Sequence, residues 1–186
     1  MTQGRHIFSV LVENKFGVLA RVAGLFSGRG FNIDSLSVSE TEDPNTSQMT
    51  IVTHGDEAII EQIEKQLNRL IEVITITDIT KENHVEREMI LVKVAVDTAK
   101  RGEVLQIVDI FRARTIDVAP ESLTIEITGD ENKLRAVIDM LRPYGIRELV
   151  RTGKVAIMRS TGTVSYTHLR AHETRHELVC RLLLEK

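Results

Sequence analysis

The sequence predicts an α+β fold of two ferredoxin-like βαββαβ domains, each an antiparallel sheet with helices on one face. Three observations predict it. Short segments of alternating apolar and polar residues end in turn-forming residues, amphipathic helical stripes fall between them, and the same order of elements returns after roughly eighty residues.

Arg5 to Val12 reads as the first strand, with Ile7, Val10 and Val12 apolar, and Glu13-Asn14-Lys15-Phe16-Gly17 as the turn that closes it. Val18, Leu19, Val22, Leu25 and Phe26 then recur along one helical face, and Gly28-Arg29-Gly30 supplies the stop. A hairpin follows, from Phe31 to Ser39 and from Met49 to Thr53, around a polar turn at Glu42-Asp43-Pro44-Asn45. Asp56 opens a second helix as its cap, with Ile59, Ile60, Ile63, Leu67 and Leu70 as the buried stripe. Val73 to Ile79 alternates as a strand with one wet face.

Beyond a polar link at Thr80 to His84, the order repeats. A strand at Glu88 to Val96 leads to a helix at Lys100 to Phe111 and strands at Thr115 to Ala119 and Leu123 to Thr128. A helix at Asp130 to Leu141 and a strand at Ile146 to Met158 complete it. The repeat is one of element order, not of residue identity. Helices on one face of each sheet leave the other face or an edge for a partner, so oligomerisation is expected. The reading divides the chain into a first domain at 5–79, a linker at 80–85, a second domain at 86–160 and an anomalous tail at 161–186. The tail, with a short amphipathic segment at Leu178 to Glu185, has no place in the repeat and resembles stretches that end unrelated sequences. It is read as foreign read-through and set aside from functional reasoning.

The 186 residues carry 42% hydrophobic content, enough for a core, with a formal charge of -3, no Trp and only 4% aromatic residues. A duplex binder carries a basic excess and a single-strand binder carries exposed rings, so nucleic acid is not an expected partner. No apolar run is long enough to span a membrane or to act as a secretory core, and a single cysteine, Cys180, excludes an intrachain disulfide. A cytoplasmic location, with no membrane partner, is expected.

Chemistry-bearing patterns are few. Asn14 and Gly17 sit between a strand and a helix, where unpaired backbone N–H groups and the positive end of the helix dipole suit a carboxylate. On spacing alone, an Asx turn at Asn14 and steric relief at Gly17 are the favoured explanation. Gly28-Arg29-Gly30 ends a helix and begins a strand, which is the wrong place for a phosphate loop. His168, His172, His176 and Cys180 have zinc-like spacing but lie in the tail, and no metal is assigned. Gly55-Asp56-Glu57 has the look of a thiamine-diphosphate magnesium motif but opens a helix and lacks the downstream asparagines. The charged run Glu82 to Glu88 reads as a solvated linker or part of a subunit contact. The sequence holds no nucleophile elbow, Walker A segment or HExxH, and no catalytic residue is assigned.

Several segments together carry a resemblance: Ser9-Val10-Leu11-Val12-Glu13-Asn14, Gly17-Val18-Leu19-Ala20-Arg21-Val22-Ala23-Gly24-Leu25-Phe26-Ser27 and Arg29-Gly30-Phe31-Asn32-Ile33. Met49-Thr50-Ile51, His84-Val85-Glu86-Arg87-Glu88, Leu91-Val92-Lys93-Val94, Ile116-Asp117-Val118 and Gly153 extend it. The chain resembles the small regulatory subunits of acetolactate synthase from about residue 5 to 160. The resemblance implies that 5–79 is an ACT domain, which pairs with a second copy as a homodimer and binds an amino acid, usually valine, at the interface. It implies that Asn14 meets the ligand's polar groups and that the N–H groups around Gly17, Val18 and Leu19 hold its carboxylate, with Asn32 and Ile33 of the paired copy completing the site. It implies a separate large catalytic subunit that uses thiamine diphosphate, Mg2+ and FAD, with no cofactor on this chain, and a role in activation and feedback inhibition of branched-chain amino acid biosynthesis. A stand-alone ACT-type sensor acting on another enzyme or a transcription regulator is the alternative.

Overall fold

The computed structural model describes residues 4–160, so the tail readings, including its histidine and cysteine spacing, lie outside the described residues. The first half runs β1 (Gly4–Glu13), α1 (Val18–Gly28), β2 (Ser35–Glu40), β3 (Thr46–Gly55), α2 (Glu57–Leu67) and β4 (Val73–Asp78). The second repeats the order with β5 (His84–Ala95), α3 (Arg101–Ile110), β6 (Arg114–Ala119), β7 (Ser122–Gly129), α4 (Glu131–Leu141) and β8 (Ile146–Met158). Each half is one four-stranded antiparallel sheet, in the orders β2-β3-β1-β4 and β6-β7-β5-β8. These are the two ferredoxin-like domains that the repeat implied. No helix among the described residues is long and apolar enough to cross a membrane.

Period-2 alternation makes each central strand two-faced. Phe8, Val10 and Val12 of β1 meet Met49 and Ile51 of β3 under Val18, Val22 and Phe26 of α1 and Ile60, Ile63 and Leu67 of α2. Ile90, Val92 and Val94 of β5 and Leu123, Ile125 and Ile127 of β7 do the same under α3 and α4. Both C-terminal helices of the halves start identically. Asp56 accepts from the Ile59 N–H at 2.9 Å, and Asp130 accepts from the Lys133 N–H at 2.9 Å. The preceding Gly55 and Gly129 leave room for the first helical turn, since a Cβ at Gly55 would lie 2.8 Å from Ile59 and one at Gly129 would lie 2.6 Å from Lys133.

Two strand starts differ from the sequence reading by four residues, and β3 begins at Thr46 where Met49 was expected. β2 begins at Ser35, not Phe31. Ile33 and Leu36 are an odd number apart, so one strand cannot turn both to the core, yet both pack against it. Residues 31–34 instead cross from helix to sheet, with the Phe31 ring edge-on to Phe26 at 6.3 Å and the Asp34 N–H donating to Val52 O at 2.8 Å. β5 begins at His84, not Glu88, because β8 is long enough to pair His84 with Met158 and Val85 with Ile157. The segment read as a solvated charge run is therefore partly strand, and Glu88 in it is buried.

The helices cover one face of the first sheet, and β8 covers part of the other. β8 touches β1, β2 and β3, and Ala156 packs on Ile7, Val52 and Ile79, which face away from the helices. Beside this apolar contact lies a knot of four charges. Arg5 of the first half pairs with both Glu86 and Glu131 of the second, and Lys154, itself buried, reaches Glu131 at 2.7 Å and Glu86 at 3.4 Å. The hydrogen bond from Lys154, opposed by burial and helped by the charges of Lys154, Arg5 and Arg135, holds the Glu131 carboxyl down to about 2.

A carboxyl held down in the folded state adds stability above its unfolded range, near about 4.3, and loses it as pH falls toward its folded value. Glu131→Gln should therefore be less stable than wild type at neutral pH, and the gap should close between about pH 4 and pH 2. Urea midpoints of both proteins across that range check this; a gap independent of pH would remove the charge from the contact's energetics.

Candidate functional site

The four helices differ at their N-termini, and the difference marks a site. α2, α3 and α4 each carry a glutamate in the first turn, whereas α1 has no acidic residue there; α1, like α3, also lacks a side-chain cap. Gly17 occupies its N-cap position at φ 81, the left-handed region that a residue with a Cβ enters at a cost. First-turn N–H groups with no side-chain acceptor, at the positive end of a helix dipole, suit a carboxylate.

The loop before α1 is held in place from two sides. The Asn14 N–H donates to Asn45 O at 2.7 Å and its Nδ2 donates to Pro44 O at 2.9 Å, lashing the loop to the β2–β3 turn. With Nδ2 engaged, Oδ1 remains as an acceptor, which suits an ammonium group. The Glu13 N–H donates to Glu72 O at 2.8 Å, and Glu72 also pairs with Arg21 at 2.7 Å. The Arg21 guanidinium thereby lies over the start of its own helix, where it donates to Phe16 O at 3.4 Å and stands 3.5 Å from the position a Gly17 Cβ would take.

These elements wall an open recess of about 1080 Å³ lined by Asn14, Lys15, Phe16, Gly17, Leu19, Ala20, Arg21 and Ala23. Three of the residues singled out from the sequence, Asn14, Gly17 and Leu19, meet there. Val18 turns its side chain into the core, so only its backbone faces the loop, with its N–H 3.4 Å from Lys15 O. Asn32 and Ile33 do not line the recess within one chain. They lie in the crossing before β2, where Asn32 O accepts from Thr53 Oγ1 at 2.6 Å, Asn32 Nδ2 donates to Asp34 at 2.7 Å, and Ile33 packs against the core. Lys15, Phe16, Ala20, Arg21 and Ala23 were not singled out from the sequence as site residues. Leu19 and Ala23, four apart, share a helix face, as do Gly17, Ala20 and Arg21, so helical spacing from Gly17 contained the signal.

The recess offers donors at the helix start, an acceptor at Asn14, cations at Lys15 and Arg21, and small apolar surface at Leu19, Ala20 and Ala23. That set fits a small amino acid with an apolar side chain. Among the described residues no cluster of three His, Cys, Asp or Glu could hold a metal ion.

Family models match both halves: an acetolactate synthase small subunit-like ACT domain over residues 8–75, and the small subunit of acetolactate synthase over residues 87–160. The chain is 57% identical over 155 residues to a protein of Archaeoglobus fulgidus described as a "Probable acetolactate synthase small subunit", across 83% of this chain and 97% of that one. It is 51% identical over 156 residues to the acetolactate synthase small subunit of Aquifex aeolicus, across 83% of this chain and 81% of that one. The crystal structure of the acetolactate synthase small subunit from Thermotoga maritima superposes with a TM-score of 0.79 at 46% identity, covering 86% of this chain and 99% of that one.

A side chain at Gly17 meets open space apart from the Arg21 head, so the cost of Gly17→Ala comes from its positive φ. The variant should lose about 1 kcal/mol of stability. Gly24, mid-helix with nothing within 4 Å of a built Cβ, should instead gain about 0.5–1 kcal/mol on Gly24→Ala. Denaturant unfolding of the two variants reads both signs, and equal effects would contradict the assigned backbone geometry.

Proposed function

This chain belongs to the acetolactate synthase small-subunit family, and from that premise we propose that it is a non-catalytic regulatory subunit that binds valine or a related branched-chain amino acid at the recess before α1. The uncapped, acid-free start of α1 beside Asn14 carries this reading. The N–H groups of the first turn hold the ligand carboxylate, Asn14 Oδ1 accepts from the ammonium, and Leu19, Ala20 and Ala23 receive the branched side chain. Arg21, steered by Glu72, adds a positive charge on the carboxylate side.

In this reading the site is completed by a second copy. β2 is an edge strand of the first sheet with a free pairing side, and Val38 on it is exposed. Edge-to-edge pairing of two copies brings Asn32 and Ile33 of one beside the recess of the other, and the homodimer encloses two ligands. The dimer acts in the cytoplasm on a separate large subunit, which supplies the thiamine diphosphate, Mg2+ and FAD chemistry. Its free form activates that partner, and bound effector shifts the assembly toward a less active arrangement. Such coupling requires different effector affinity in the two states, typically about 1–3 kcal/mol. A stand-alone sensor for another enzyme fits less well, because both halves, and not the ACT domain alone, match the family.

Calorimetric titration of L-valine into the chain should show binding that Gly17→Asp, with a carboxylate at the carboxylate site, abolishes. Leucine and isoleucine should compete, since one methylene in an apolar pocket changes affinity by only about 1–3 kcal/mol. Binding that survives Gly17→Asp would move the site elsewhere. Mixed with an acetolactate synthase large subunit, the chain should raise acetolactate formation and make it valine-sensitive; the absence of both association and stimulation would refute the regulatory role.

A further inference from the structure

Gly153 lies far from the recess in sequence and has no part in it, yet its position is tightly constrained. β8 bulges here: Arg151 pairs with Ile90 and Lys154 with Glu88, so Thr152 and Gly153 together face the single residue Met89. Gly153 adopts φ 83, and a Cβ on it would stand 2.9 Å from Ser35 Oγ and 3.3 Å from Leu36 O. The bulge thus presses backbone against the first two residues of β2. Lys154 fixes the contact from the next position, its N–H donating to Ser35 Oγ at 2.9 Å while its buried side chain is held in the knot with Glu86 and Glu131.

Ser35 lies two residues after Ile33, the end of the segment proposed as the second half of the effector site. Residues 32–35 are held from outside by Thr53 Oγ1 donating to Asn32 O at 2.6 Å, Asp34 N–H donating to Val52 O at 2.8 Å, His54 pairing with the Asp34 carboxylate, and Lys154 N–H donating to Ser35 Oγ at 2.9 Å. The first three contacts are with β3 of the same domain, and the last is with the other domain. Val52, which holds Asp34, also lies in the apolar contact with Ala156 of β8. The path of Asn32 and Ile33 is therefore set jointly by β3 and by the bulge of β8.

We propose that Gly153 and Lys154 are positioning residues for the effector half-site, so that the seating of the second domain and the affinity for effector are coupled through Ser35. This rests on the reading of the effector site given above. Because such coupling is reciprocal, effector that orders residues 32–35 also tightens the contact between domains.

The test uses the full chain as Gly153→Ala, Ser35→Ala and the double variant, with Glu148→Ala, an exposed position on β8 remote from the contact, as the control. Each is titrated with L-valine and followed by amide hydrogen exchange at Asp34. Gly153→Ala should weaken valine binding by at least about fivefold and accelerate exchange at Asp34. Ser35→Ala removes the nearest clashing atom, so it should restore part of the loss in the double variant, a non-additive cycle. Glu148→Ala should change neither reading. A folded Gly153→Ala with unchanged affinity and unchanged Asp34 exchange would overturn the proposal. Should Gly153→Ala fail to fold, Ser35→Ala decides by itself: faster Asp34 exchange supports positioning by β8, and unchanged exchange overturns it. A wild type that binds no valine would defeat the effector reading alone, since the exchange measurement on the unliganded chain still tests the positioning.

Discussion

A four-stranded sheet with helices on only one face leaves the other face wet, and this protein's organisation follows from how the uncovered face of its first sheet is met. Ile7, Val52 and Ile79 point away from the helices, and they are buried in a cluster against which Ala156 of β8 packs. Burial of apolar surface is favourable at about 25 cal/mol per Å², but it carries no direction. Direction comes from the polar neighbours. The charges of Arg5, Glu86, Glu131 and Lys154 reach a matched arrangement in one seating of the two halves, and the bulge at Gly153 fits against Ser35 in that same seating. Lys154 is buried among these charges, so a seating that deprived it of its carboxylate partners would strand its charge, and the pairing favours one seating over others.

The same division of labour separates the helix starts. Gly-Asp-Glu occurs at 55–57 and again at 129–131, in each case ending the third strand of its half and capping the helix that follows. In the second half the glutamate is drawn into the knot, while Glu57 stays at the surface near Lys81 at 3.3 Å. One capping device therefore serves as plain helix initiation in one half and as an anchor between halves in the other. The start of α1 forgoes the device altogether. A glycine at the N-cap in place of an aspartate costs only about a few tenths of a kcal/mol, and in α1 that small deficit coincides with a recess, a positive φ and an asparagine acceptor. Sites commonly sit where local rules for stability are broken in this way.

The fold was largely legible in the sequence because its signals are local: alternation in the strands, stripes such as Ile60, Ile63 and Leu67, and Asp56 as a cap. Even the repeated Gly-Asp-Glu was present to be read, though element order, not residue identity, revealed the repeat. The elements misplaced were those fixed by distant partners. β2 begins late because Phe26 and Val52 hold residues 31–34, and β5 begins early because β8 extends to meet it. Glu86 and Glu88 resemble a solvated charge run, since nothing nearby in sequence announces Arg5, Arg151 or Lys154. For the candidate site, Asn14 and Gly17 were readable from the strand-to-helix junction. Arg21 was not, because its orientation depends on Glu72, which is distant in sequence and comes beside Glu13 only through the pairing of β4 with β1.

β2 is the element on which these constraints converge. One of its sides is paired with β3 and the other is a free edge, its inner face carries Leu36 toward the core, and its first residue is pinned by Lys154. A strand so held has few independent ways to move. If a second copy adds to the free edge, a shift of β2 must alter either the pairing with that copy or the contact with β8, since the ladder to β3 is continuous from Ser35 to Glu40. Packed contacts tend to switch between discrete arrangements and to resist continuous deformation. A ligand that favours one position of residues 32–35 therefore biases the interface between copies and the seating of the second domain together. Under the proposed reading, that is the physical route by which a small amino acid bound at one helix start would act on a surface that belongs to the other half of the chain.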